Sequence, residues 1–280
     1  MAYDKLSAMV STVSAVMGVG AATAYLTGAF LQYRSFSEST EARTPLLIAL
    51  ATAGAVLHAS ADFHMIATNT GLNLGLSSSA SLVSWIMLVS VLLAATRLPV
   101  LNLLMLIQPL AAAGVIAALI WGGSPATVIP LATLGGALLG HIALSIAAYS
   151  ILFMAACQSV LVALLEHRLH RKKTIRLLRV LPPLQTMETL LFNLLWAGIC
   201  VLTLAILSGF LFLEDMFAQR VAHHTLLALA SCGVYAALLA GHRLFGWRGA
   251  TAVRWTLLAF ALLVLGYFGS KFVIEVLLEH

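Results

Sequence analysis

Two of the chain's nine histidines, His58 and His141, fall inside long apolar runs. His141 belongs to GGALLGHIALSIAAYSILFMAACQ, residues 135–158. Stepping by three and four from it gives Ser145, Ala148, Leu152, Ala156 and Ser159, which share one face of a helix. That face is small and partly polar, so it offers an imidazole to a flat or narrow partner. An ionisable group at membrane depth marks a functional site by default. His58 has Asp62 four residues on, on the same helical face. A carboxylate there can fix the imidazole tautomer and turn its other nitrogen towards a metal. The same pair can act as a proton relay or as an interfacial hydrogen bond. His223 and His224 open a later run, just after the acidic LEDMF, and suit either a ligand at the membrane face or a solvated helix start. His242 lies towards the far end of that run, and most lone histidines on apolar faces are hydrogen-bonded structural groups.

The ligand types narrow the chemistry. Zinc takes three or four Cys, His or carboxylate ligands. The three cysteines, Cys157, Cys200 and Cys232, sit in three different runs, with no HExxH, CxxC or CxxCH, and read as buried packing groups. Haem needs only one or two histidines from separate helices, with apolar walls and small residues around the ring. Arg243, Arg248, Arg254 and Lys271, near helix ends, suit either haem propionates or snorkelling to the interface. There is no nucleophile–base pairing, no pair of carboxylates at depth and no phosphate-cradling glycine loop, which argues against an enzyme with its own catalytic centre.

These residues must be carried by membrane-spanning helices. The 280-residue chain is 61% hydrophobic and 9% charged, with a mean hydropathy of +1.02. Soluble domains carry about 25% charged residues. The apolar runs are long enough to cross a hydrocarbon core about 30 Å thick. About eight such spans are expected: Ser7–Leu31, Pro45–Ile66, Ser79–Thr96, Pro99–Trp121, Ile129–Leu152, Thr189–Leu213, Thr225–Phe245 and Thr251–Leu278. The first is too long for a signal-peptide core and reads as a retained helix. The fifth should continue past the membrane through VLVALLEHRLHRKK, and Gly136 and Gly140 should let a neighbour approach closely. The fold class is therefore all-α and polytopic, a single membrane domain over 1–280. The net charge of +5 resides mostly in short loops, where it signals topology and not a nucleic-acid partner. Arg and Lys concentrate in the odd-numbered loops, which places those loops in the cytoplasm and both termini on the outer, periplasmic side.

Several segments resemble one family. GHIALSIAAYSILFMAACQ is similar to the His-containing helix of the cytochrome c assembly membrane proteins of CcsA/ResC type. AALLAGHRLFGWRGATAVR is similar to that family's helix ending in His and followed by a GW-x-G turn, here His242, Gly246, Trp247, Arg248 and Gly249. LNLGLSSSASLVSW and YFGSKFVIEVLL resemble its outer loop and its last helix. Pro182, Pro183, Leu184 and Glu188 complete a pattern similar to the small YpjD/HemX-like branch, and the likeness spans nearly the whole chain.

The resemblance implies eight helices around a site that binds or handles haem b without a covalent bond. His141 would be an axial ligand near the outer face and His242 one within the membrane, with His58, His223 and His224 as further candidates. Asp62, Ser145, Trp247, Arg248 and Lys271 would support them. The family's ligases carry a tryptophan-rich WGxxWxWD loop, whereas GFLFLEDMFAQRVAHHT has no tryptophan here. The implied role is thus accessory to cytochrome c maturation, haem delivery or its regulation, in a bacterial inner membrane, alongside lipid and a second membrane protein of maturation or transport. The alternative is a small-molecule or ion transporter, or a membrane partner of one, using His58, Asp62 and Glu188.

Overall fold

A backbone crossing hydrocarbon must satisfy its own polar groups, and the helix does so within one segment. The computed structural model describes residues 2–38, 44–68, 70–122, 128–133, 135–170, 182–212, 222–269 and 272. Nearly all of them are helical. The helices are α1 (Ala2–Glu38), α2 (Thr44–Ile66), α3 (Leu76–Ala94), α4 (Leu104–Trp121), α5 (Gly136–His170), α6 (Leu184–Phe212), α7 (Ala222–Phe245) and α8 (Gly249–Val264). Eight of these segments, α8 with its π-helical continuation Leu265–Gly269, are long and apolar enough to cross a membrane. The chain is a polytopic all-α membrane protein. Val16, Phe63, Trp121 and Leu211 stand exposed on helix surfaces, as lipid-facing side chains do.

The chain divides into two compact units, Met1–Leu134 and Gly135–His280. In the first, α1 packs on α2 and α4, and α3 packs on α4 and α2. Contact is close because glycine faces bulk: a Cβ at Gly54 would collide with the Tyr25 ring, and one at Gly28 would come within 2.7 Å of the Gln108 amide. The Trp85 indole N–H donates to Ala55 O at 2.8 Å, tying α3 to α2. Gln32 Nε2 donates to Leu101 O at 2.8 Å, tying α1 to the start of α4.

A small antiparallel sheet caps this unit. β1 (Ala67–Thr68) pairs with β2 (Gly71–Asn73), which pairs with β3 (Val128–Pro130). The register opposes Leu72 to Ile129. Spacing alone placed Ile129 at the start of the fifth span; strand pairing claims it, and α5 begins at Gly136. Asn73 Nδ2 donates to Gly122 O at 2.6 Å, and its Oδ1 accepts from Gly75 N–H at 3.2 Å. That turn lets α3 begin at Leu76, three residues earlier than expected.

In the second unit α5 packs against α6 and α8, and α7 against α8 and α6. α5 runs 35 residues, continuing past the apolar stretch as its period requires. Among the described residues, a Cβ at Gly136 or Gly140 would meet nothing within 4 Å. The close approach seen within this unit is instead at Gly198 of α6, seated against Leu152. Of the cysteines only Cys157 is buried, and Cys200 is exposed on its helix, so the expectation of three packed thiols holds for Cys157 alone.

Candidate functional site

His141 sits in the second turn of α5 and turns its ring towards α6. Its Nδ1 lies 3.1 Å from Ala205 O and 3.0 Å from Ser208 Oγ. Ser208 also donates to Ala205 O, at 2.8 Å. A carbonyl oxygen only accepts, so Nδ1 carries the proton and Nε2 carries the lone pair. Metal-ligating histidines are tied in this way, by a second hydrogen bond that fixes ring and tautomer. Ser145, one turn further on, is half-buried on the same side of the helix.

His224, in the first turn of α7, stands at the same end of the second unit, its ring against Tyr267, which packs on Tyr149 of α5. Its Nε2 is buried and has no hydrogen-bond partner among the described residues. An aromatic wall stands beside it. The Tyr267 ring meets His224 edge-on at 5.7 Å, and Tyr149 packs on Tyr267 at 5.6 Å and on Phe268 at 6.2 Å. Tyr149 O–H donates to Leu263 O at 2.9 Å, which fastens α5 to α8. Tyr267 and Phe268 reach this position because the backbone widens to a π-helix over Leu265–Gly269. Such widenings recur at functional sites. Gly266, inside the π-turn, lies against the His224 carbonyl.

His242 occupies the opposite end of α7, 18 residues and about 27 Å from His224 at 1.5 Å per residue. The structure thus places His141 and His224 at one end of the second unit and His242 at the other. His242 Nδ1–H donates to Trp247 O at 2.8 Å, and its ring stacks on Phe192 at 3.5 Å and 16°. The turn that returns the Trp247 carbonyl has φ +69° at Gly246 and +53° at Gly249, values that suit glycine. Glu188 accepts the Gly249 N–H at 3.0 Å, a carboxylate at the positive end of α8. Arg243 lies over the Trp196 ring at 4.7 Å. A cavity of about 350 Å³ opens here, lined by Glu188, Phe192, Trp196, His242, Arg243 and Arg248.

His58 belongs to the first unit and is fully buried. Its Nε2 lies 2.8 Å from Ser81 Oγ and 3.5 Å from Asp62 Oδ2. Ser81 O–H donates to Asp62 Oδ1 at 2.7 Å, and the Tyr25 hydroxyl reaches His58 Nδ1 at 3.3 Å. The Asp62 partnership follows from sequence spacing; Tyr25 and Ser81 come from α1 and α3 and carry no local signal. Among the described residues no three His, Cys, Asp or Glu side chains gather as a metal would require. Of the other candidates, Lys271 lies outside the described residues, as does the side chain of His223.

Residues 46–278 match the model of a family described as "Cytochrome C assembly protein". The chain is 39% identical over 159 residues to an uncharacterized 28.8 kDa protein in the nifR3-like 5′ region of Azospirillum brasilense, covering 56% of this chain and 55% of that one. It is 32% identical over 136 residues to the inner membrane protein YpjD of Escherichia coli K12, covering 49% of this chain and 51% of that one. The chain spans about half the length of the curated relatives it matches. No solved structure matches it.

Proposed function

The chain belongs to the cytochrome c assembly protein family, and from that premise we propose that it binds haem non-covalently between His141 and His224. The observation that carries this reading is the pair of imidazole nitrogens at one end of the second unit. His141 Nε2 is freed as an acceptor because Nδ1 is committed to Ala205 O, and His224 Nε2 is buried without a partner. Two neutral imidazoles are the donor set that haem iron takes axially. Tyr149, Tyr267 and Phe268 supply an apolar wall for a flat ring.

Bound there, haem would supply an iron porphyrin as cargo or signal. The chain's own work is to hold it: Ala205 and Ser208 keep His141 in one tautomer, the π-turn keeps the aromatic wall in place, and α7 presents His224. The sequence from Gly209 to Thr225 has no tryptophan, which supports reading the role as accessory to cytochrome c maturation, in haem delivery or regulation. The setting is the bacterial inner membrane, the location printed for the YpjD relative, with lipid around the helices and a second membrane protein as recipient.

The test is the reduced-minus-oxidised absorption spectrum of the purified protein after haem-replete expression. The wild type should show low-spin haem bands. His141→Ala and His224→Ala should each shift or abolish them, and His242→Ala should leave them in place. Unchanged bands in both of the first two variants would sink the assignment.

A further inference from the structure

We propose that the first unit conducts protons along a buried wire that runs from Asp62 through Ser81, His58 and Tyr25 to Gln108, Gln32 and Asn102. The proposal does not rest on haem; it concerns a different unit and different atoms. Ser81 donates to the Asp62 carboxylate at 2.7 Å, so its oxygen is left to accept from His58 Nε2–H at 2.8 Å. That in turn leaves His58 Nδ1 to accept from the Tyr25 hydroxyl at 3.3 Å. The four groups form one directed chain, contributed by α1, α2 and α3, and each residue is at most 4% exposed. A lone structural histidine needs one partner; this one has a partner on each nitrogen and a carboxylate at the end.

Further buried polar groups lie in the same unit. Gly28, three residues on, lies against the Gln108 amide, whose nitrogen and oxygen are both buried with no hydrogen-bond partner among the described residues. Gln32, seven residues and about 10 Å from Tyr25, donates to Leu101 O and keeps Oε1 buried and unpartnered. Both side-chain polar atoms of Asn102, beside Leu101, are likewise buried and unpartnered. At the other end Asp62 Oδ2 has no hydrogen bond, and Asp62 lies four residues, about 6 Å, from the end of α2. Buried polar atoms in this state are the ones internal waters satisfy. On this proposal, waters bridging these groups extend the wire beyond Tyr25.

The proton balance closes. Tyr25 takes one proton from the Gln108 side and passes its own to His58 Nδ1. His58 passes the Nε2 proton to Ser81, and Ser81 passes its proton to Asp62. One proton has entered, the tautomer of His58 has changed, and Asp62 is a carboxylic acid that releases its proton at the sheet-capped end. Rotation of the two hydroxyls and a flip of the imidazole reset the chain. Gly54 and Gly28 leave room for Tyr25 and Gln108.

The experiment reconstitutes the full chain in phosphatidylethanolamine–phosphatidylglycerol vesicles containing a pH-sensitive dye. A potassium diffusion potential set by valinomycin then drives protons inward. The wild type should acidify the lumen faster than protein-free vesicles. Tyr25→Phe and Asp62→Asn should each slow this by roughly tenfold or more, and Thr23→Val, on the exposed face of α1, should not. Tyr25→Phe and Ser81→Ala preserve packing, so they carry the test if Asp62→Asn fails to fold. A wild-type rate equal to that of empty vesicles would overturn the proposal, as would wild-type rates in Tyr25→Phe and Ser81→Ala.

Discussion

At the scale of single residues, hydrogen bonds to backbone carbonyls decide what each histidine can do. Ala205 O commits Nδ1 of His141, and Trp247 O commits Nδ1 of His242, so both rings present Nε2. They differ in what surrounds that nitrogen. His141 shares its end of the unit with His224 and the Tyr149–Tyr267 wall, whereas His242 is stacked flat on Phe192. Tyr149 is the residue that joins the haem-side wall to the fold. Tyr149→Phe keeps the ring but leaves the Leu263 carbonyl without that donor. It should cost about 1 kcal/mol of stability, read as a lowered unfolding temperature in detergent. The pairing of His58 with Asp62 was legible from four-residue spacing. The partners on other helices, Tyr25, Ser81 and Ser208, were not, because contacts between helices leave no period in the chain.

At the scale of elements, the helices themselves were plain, since uncharged runs of this length have one stable form in lipid. Their ends were less so. α5 starts seven residues later than its hydropathy suggests because Val128–Pro130 pairs with Gly71–Asn73, a contact between distant residues. The π-turn over Leu265–Gly269 was likewise invisible as geometry, although YFGS stood out as a motif. The GWRG turn is the opposite case, since glycines bracketing Trp247 and Arg248 are what two left-handed positions require. Gly249→Ala would strain φ +53° and bring a methyl within about 3.0 Å of the Glu166 carboxylate. The expected loss is about 1–2 kcal/mol. Glu188→Ala, which removes the acceptor for Gly249 N–H, should cost about 1 kcal/mol. Thermal unfolding of the two variants checks both values, and destabilisation by neither would mean that the turn does not anchor α8.

At the scale of the whole molecule, eight segments among the described residues are long and apolar enough to cross a membrane, and an even number of crossings is expected to return the chain to the side it started from. From the Lys and Arg distribution among the loops, that side is expected to be the periplasm. A C-terminal alkaline phosphatase fusion should therefore be active and a green fluorescent protein fusion dark; the reverse pair of results would invert the topology. In that orientation His141 and His224 would lie towards the periplasmic face and His242 towards the cytoplasm. The central claim is that the His141–His224 end holds haem, and its most direct measurement is the haem-to-protein ratio by pyridine haemochrome. Wild type and His242→Ala should carry haem at the same ratio, and the His141→Ala, His224→Ala double variant should carry almost none. Equal haem in the double variant and the wild type would contradict the account.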